Sequence, residues 1–263
     1  MTAQIIVRPW GEIDAASAGI WMIEIVHRGK LNAMTRSMWR QLRTAFEQLQ
    51  SNQAVRCVVV QGDGSAFCAG GDISEYPAFR FDPSALAAFH EEDVWGGLNA
   101  MLSCDAPIIA NINGACMGAG VEIASCCDIR FVADTAKFGA PIAKLGFPMA
   151  PKEMRLVASS VGGHVAKRML LEAAVFSAKE MAATGWCAQP LPPNLLQEQV
   201  THSVQRIASL APQAARLNKQ AMRSLASDGA VIAPYAYAAS AEHREGVMAF
   251  LDNRQPNFLN AEI

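Results

Sequence analysis

No run of about 18 or more uncharged apolar residues, the length that spans a bilayer, occurs in the sequence. A membrane-spanning helix is therefore not expected. The opening segment MTAQIIVRPWGEID lacks a basic stretch followed by a long apolar one, so no secretory leader is read and a cytoplasmic protein is expected. Positive charge is not in excess: 22 Lys and Arg face 24 Asp and Glu, for a net charge of −2. Without a Lys/Arg run there is no footprint for a phosphate backbone, and nucleic acid is not an expected partner. Charged residues are scarce, 17% against 51% apolar, which excludes a disordered chain and leaves a globular protein of 263 residues with a substantial core.

Several motifs are missing as well. There is no GxxxxGK[ST] and no GxGxxG followed by an acidic residue after a strand, so neither a P-loop nor a dinucleotide fingerprint is present. The absence of GxSxG removes a nucleophile elbow. His27, His90, His164, His202 and His243 are scattered without metal-ligand spacing, and no metal is expected. Cys57, Cys68, Cys104, Cys116, Cys126, Cys127 and Cys187 form an odd, scattered set without CxxC, read as reduced core thiols.

What is present begins as an alternation of strands and helices. Ile20 to Val26 and Arg56 to Val60 are short β-rich runs, and Met38, Leu42, Ala45, Phe46 and Leu49 recur between them at helical spacing. Asp82 and Pro83 open a second helix carrying Leu86, Phe89, Leu98, Met101 and Leu102, interrupted by Gly96 and Gly97. Strands are expected at Pro107 to Asn111 and Asp128 to Ala133, with a short helix from Gly120 to Cys127 between them. Ser177 and Glu180 form a capping box, and Gly185 stops the short helix that follows. Beyond Pro190 to Pro193 the pattern is helical, with Leu196, Val200, Val204, Ile207 and Ala211 on one face and Leu217, Ala221 and Leu225 on another. The expected fold is an α/β core over 1–193 with a helical region over 194–263. A helical tail too short for its own core must pack on the core or on another subunit.

Chemistry is suggested by an isolated charge. From Ala106 to Cys127 the only charged residue is Glu122. Burial without a cationic partner would raise its pKa and suit it to general acid or base work. The structural alternative is a first-turn glutamate satisfied by the helix dipole. Gly114 and Gly118-Ala119-Gly120 lead into that helix, and a second glycine-rich turn, Gly62 to Ile73, follows the strand at 56–60. Two turns at the ends of strands can each present a backbone N–H to one oxygen, although close backbone packing also explains clustered glycines. Cys68 is read as filler, and Trp39, Trp95 and Trp186 as core or interface residues.

At these residues the chain resembles the crotonase family, the enoyl-CoA hydratases and isomerases. The likeness rests on Phe67 to Asp72 (FCAGGD), Pro107 to Asp128, Lys137 to Pro141, Ser177 to Trp186, and His243 to Phe258 (HREGVMAFLDNRQPNF). It implies a spiral of ββα units with a C-terminal helical trimerisation region, and an acyl-CoA thioester substrate whose coenzyme A needs no further cofactor. It further implies that the N–H groups of Gly71 and Ala119 hold the thioester oxygen, with Glu122 as acid/base. Ala69, Gly70, Asp72 and Ile73 would border the coenzyme, with its adenine near that turn, and Arg254 lies near the tail position that reaches it across a subunit contact. A homotrimer or dimer of trimers follows from the same likeness.

The sequence also departs from that family. Ala119 stands where glycine is usual, though the donor is a main-chain group. The second catalytic glutamate falls at Ile142, and Phe147-Pro148-Met149-Ala150-Pro151 replaces the glycine-rich segment after it, which implies an altered acyl pocket lined by Ile142 and Phe147. Asp72, His90 and Glu153 are candidate replacement acids, each with a structural alternative: a turn cap, a helix-surface histidine and a solvated glutamate. The expected activity is hydration or isomerisation of an enoyl-CoA. Decarboxylation, thioester hydrolysis or retro-aldol cleavage, and acyl-CoA binding without turnover, stay open because of Ile142.

Overall fold

The computed structural model describes residues 3–11, 18–226 and 229–258; of the opening segment, residues 1, 2 and 12–14 lie outside the described residues. Five strands form the main sheet: β1 (Gln4–Pro9), β2 (Ile20–Val26), β3 (Cys57–Gly62), β4 (Ile108–Ile112) and β6 (Ile129–Val132), in the order β1-β2-β3-β4-β6. Only β1 runs antiparallel to its neighbour. A smaller sheet joins β5 (Ala115–Met117), β7 (Lys137–Gly139) and β8 (Val175–Ser177).

Parallel strands need cover on both faces, and the alternation along β3 shows how it is supplied. Val58 and Val60 point into the larger core with α1 (Arg36–Ser51) and α3 (Trp95–Ser103). Cys57 and Val59 point the other way, into a second cluster with Leu196, Val200 and Val204 of α8 (Pro193–Ala208). Helix α1 starts where the Thr35 hydroxyl accepts from the Met38 N–H at 3.2 Å, and it buries the apolar stripe expected, Met38 through Leu49. The α/β fold read from the sequence is the one found.

The helix begun at Asp82 is not uniform. It runs as α2 (Pro83–Ala88), a π-helical turn over Phe89–Val94, and then α3. Gly97, unfavourable inside a helix, lies where a Cβ would come within 3.0 Å of the Trp39 ring and 3.1 Å of the Trp39 carbonyl. The glycine lets α3 close on α1. Downstream of α4 (Ala119–Cys126) come α5 (Pro151–Val161), α6 (Gly163–Leu171) and α7 (Ala178–Ala183), the last opened by the capping box of Ser177 and Glu180.

After α8 come α9 (Pro212–Ala226) and α10 (Ala241–Leu251), and α9 has an inverted polarity. Its buried face carries Arg216, whose guanidinium donates to the Val55 carbonyl at 2.8 Å. Beside it Lys219 donates to the Ala106 carbonyl at 2.9 Å and pairs with Asp128 at 2.7 Å. Leu217, Met222 and Leu225 are exposed. Among the described residues no helix is long and apolar enough to cross a membrane.

Candidate active site

The two glycine-rich turns are laced together by backbone hydrogen bonds. The Cys68 N–H donates to the Ala115 carbonyl and the Met117 N–H to the Cys68 carbonyl, both at 2.9 Å. The Gly118 N–H donates to the Gly139 carbonyl at 2.8 Å, which ties the second turn to the small sheet. On the far side of the first turn, the Met34 N–H donates to the Gly70 carbonyl and the Asp72 N–H to the Met34 carbonyl, both at 2.8 Å. The N–H of Gly71, between them, takes no part in this ladder.

Gly118 holds φ +48° and ψ −110°, a backbone shape that L side chains rarely adopt, and from it α4 begins. Ala119 is the first helical residue, so its N–H is among the donors that an α-helix cannot satisfy internally. Its own φ is not positive, so alanine in place of glycine adds no strain there. At the other end of α4, Arg130 donates to the carbonyls of Ala124 and Cys127 and to that of Trp186. A cation on the last carbonyls of a helix opposes its dipole favourably.

Glu122 lies in the first turn of α4, only 7% exposed. Burial first, and then the neighbouring charge of Glu153, push its carboxyl well above the ordinary carboxylate value. No salt bridge reaches it among the described residues. An upward shift of this kind, from burial and a neighbouring like charge, is the environment that suits a carboxyl to general acid or base work.

Glu122 opens on a cavity of about 350 Å³, and Ala69, Gly70, Gly71, Ile73, Ala119, Ile142 and Phe147 line it too. Most of the residues singled out from the sequence are thus brought to one place. Asp72 is not: its carboxylate is clasped by the Lys30 ammonium at 2.8 and 2.9 Å and caps the turn at Ile73–Ala78 through the Ser74 N–H. Arg254 sits apart as well, in a two-point pair with Glu245 at 2.7 and 2.8 Å. Cys68 is fully buried and its thiol is pushed up to about 12 by burial, so it is no nucleophile.

Tyr76, Arg80 and Lys144, also in the wall, gave no signal in the sequence. Tyr76 and Phe147 flank Arg80, whose guanidinium carbon lies 4.4 and 3.6 Å from their ring centroids, and Lys144 stands in the lining as well. These residues sit in loops and short turns, where no periodicity marks an inward face. His90 and Glu153 also line the cavity. Glu153 is 3% exposed, and its Oε1 lies 2.8 Å from His90 Nδ1, so neither the solvated glutamate nor the surface histidine of the bland readings is found.

Against known proteins, a profile described as enoyl-CoA hydratase/isomerase matches residues 15–261. The crotonyl-CoA hydratase of Syntrophomonas wolfei is 31% identical over 242 residues, covering 88% of this chain and 90% of that protein. The 2,3-dehydroadipyl-CoA hydratase of Escherichia coli is 30% identical over 236 residues, covering 86% and 90%. Among solved structures, an enoyl-CoA hydratase/carnitine racemase from Magnetospirillum magneticum superposes with a TM-score of 0.88 at 31% identity, covering 92% of each chain.

Proposed function

Because the chain belongs to the enoyl-CoA hydratase/isomerase family, we propose that it is an enzyme acting on an acyl-CoA thioester, hydrating or isomerising an enoyl-CoA, with Glu122 as acid/base. The observation that carries this reading is a single one: a neutral-leaning carboxyl buried on the same cavity as two backbone turns with N–H groups outside the ladder. In it the thioester oxygen is held by the N–H groups of Gly71 and Ala119. Each such donor contributes about 3–4 kcal/mol to an enolate-like transition state. Glu122, protonated, gives its proton to the carbon that becomes carbanionic.

Ala69, Gly70 and Ile73 border the coenzyme in this reading, and Ile142 and Phe147 shape the acyl pocket. Coenzyme A arrives with the substrate and no metal is used. Asp72 acts indirectly, by holding its turn through Lys30. The exposed apolar faces of α9 and α10 support a homotrimer or dimer of trimers built through residues 194–263, and seven free cysteines suit a reducing cytoplasm.

The test is mass spectrometry of enoyl-CoA esters of several chain lengths incubated with the protein in D2O, beside Glu122→Gln. Gain of the elements of D2O is hydration, and deuterium uptake without water is isomerisation or another enolate reaction. An unimpaired Glu122→Gln removes the acid/base role. Ile142 favours a second reading, an acyl-CoA binder without turnover, and tight binding with no product over the whole panel would establish it instead.

A further inference from the structure

Ile142 leaves the cavity without a carboxylate at the position where the family resemblance places the second glutamate. The same wall nevertheless carries one. Glu153 stands in the first turn of α5, buried, although the lysine before it and the methionine after it are exposed. Helix α5 packs against α4, so the two carboxyls reach the cavity from adjoining helices.

The hydrogen bonding is asymmetric. Oε1 of Glu153 is engaged by His90, while Oε2 and both oxygens of Glu122 have no hydrogen-bond partner among the described residues. None of these three oxygens is sealed off as a buried atom without a partner, so they are open to the cavity. His90 belongs to the π-helical turn, in which the Trp95 N–H reaches back to the His90 carbonyl. Such widened turns are often found at functional sites. Nδ1–H donating to Oε1 fixes the orientation of the carboxylate.

We infer that Glu153, oriented by His90, is the second proton-transferring residue of this site, standing in for the glutamate that Ile142 replaces. The inference rests on the acyl-CoA reading above. In hydration, the Glu153 carboxylate takes a proton from water as the water oxygen bonds to Cβ. The C=C electron pair moves to Cα and the thioester oxygen, and Glu122 delivers its proton to Cα. The sum is addition of one H2O. Glu153 ends protonated and Glu122 ionised, and passage of one proton from Glu153 to Glu122 resets the pair. Glu153 is a catalytic residue in this scheme, and His90 a positioning residue.

The experiment measures steady-state turnover and acyl-CoA binding for the wild type, Glu153→Gln, His90→Asn and His90→Phe on the enoyl-CoA that the wild type converts best. Loss of a general acid or base is expected to lower kcat by about 100-fold or more in Glu153→Gln, with KM within about 3-fold. His90→Phe should lose kcat with little change in KM, and His90→Asn, whose amide can still donate, should recover most of it. Binding of the CoA ester by each variant shows that it is folded, and for a variant that fails to bind, Glu153→Asp, which keeps a carboxylate, must retain more activity than Glu153→Gln. A Glu153→Gln variant that binds and turns over within about 3-fold of the wild type overturns the inference while leaving the acyl-CoA reading intact. A His90→Asn variant as impaired as His90→Phe overturns the positioning role. A wild type that binds CoA esters but converts none overturns both.

Discussion

Asp93, in the π-helical turn, accepts from Arg36 at 2.7 Å and from Arg40 at 2.6 Å, so two guanidinium groups of α1 hold the segment that carries His90. Its side chain is 5% exposed, whereas the two arginines are partly open to water. Asp93→Ala would strand neither cation completely. A loss of about 1–3 kcal/mol is expected from hydrogen bonds to charged groups, read from urea unfolding. The change should reach the site too, as a drop in kcat. A variant as stable as the wild type would mean that the turn is held by its apolar contacts alone.

Glu122 makes stability depend on pH in a definite direction. Its carboxyl titrates at about 4.5 when free and higher in the folded protein, so between the two values the folded state holds a proton that the unfolded state has released. The stability associated with the neutral form is complete below about 4.5 and is lost as pH rises through the folded value, at up to about 1.4 kcal/mol per pH unit. Glutamine stays neutral throughout. Glu122→Gln should therefore gain on the wild type as pH rises, and urea titrations across a pH series should show a widening gap. A gap independent of pH defeats the assignment.

Thiol reactivity should be nearly absent in the native protein. Burial pushes Cys57, Cys68 and Cys127 up to about 12, and partly exposed Cys187 up to about 11. A thiol reagent at mildly alkaline pH is expected to modify Cys187 slowly and the rest only after urea, when all seven react. Fast modification of several cysteines without denaturant would show that the core opens.

The outer faces of α9 and α10 expose Met222, Leu225, Phe250 and Leu251. Apolar surface of this kind is buried in assembly. Sedimentation velocity at micromolar concentration should give three or six chains, and Leu225→Asp with Leu251→Asp should shift the protein toward monomer with its circular dichroism preserved. A monomeric wild type would refute the assembly.

Legibility differed along the chain for physical reasons. Strands β2, β3 and β4 could be read because their runs are long, apolar and bounded, and α1 because its stripe repeats at helical period. β5, β7 and β8 have three residues each, too few to show a period. Glu122 stood out because nothing charged surrounds it. Glu153 did not, since Lys152 and Arg155 give its neighbourhood the look of a solvated surface. It is buried beside His90, 63 positions earlier, and local patterning carries no record of that. Asp72 is the opposite case: of its two readings the turn cap is the one found, with Lys30 clasping the carboxylate.

The ladder that joins Cys68 to Ala115 and Met117, and Gly118 to Gly139, makes the two turns a single rigid piece before any ligand arrives. The spacing of Gly71 and Ala119 is then settled when the chain folds, by the same bonds that hold the first turn against the small sheet. Under the proposed function, the free energy of orienting those dipoles belongs to folding and is not drawn from each turnover. Catalytic power and thermal stability would here share one set of hydrogen bonds, so a substitution that loosens the ladder at Cys116 or Gly139 should slow the enzyme and lower its melting temperature together.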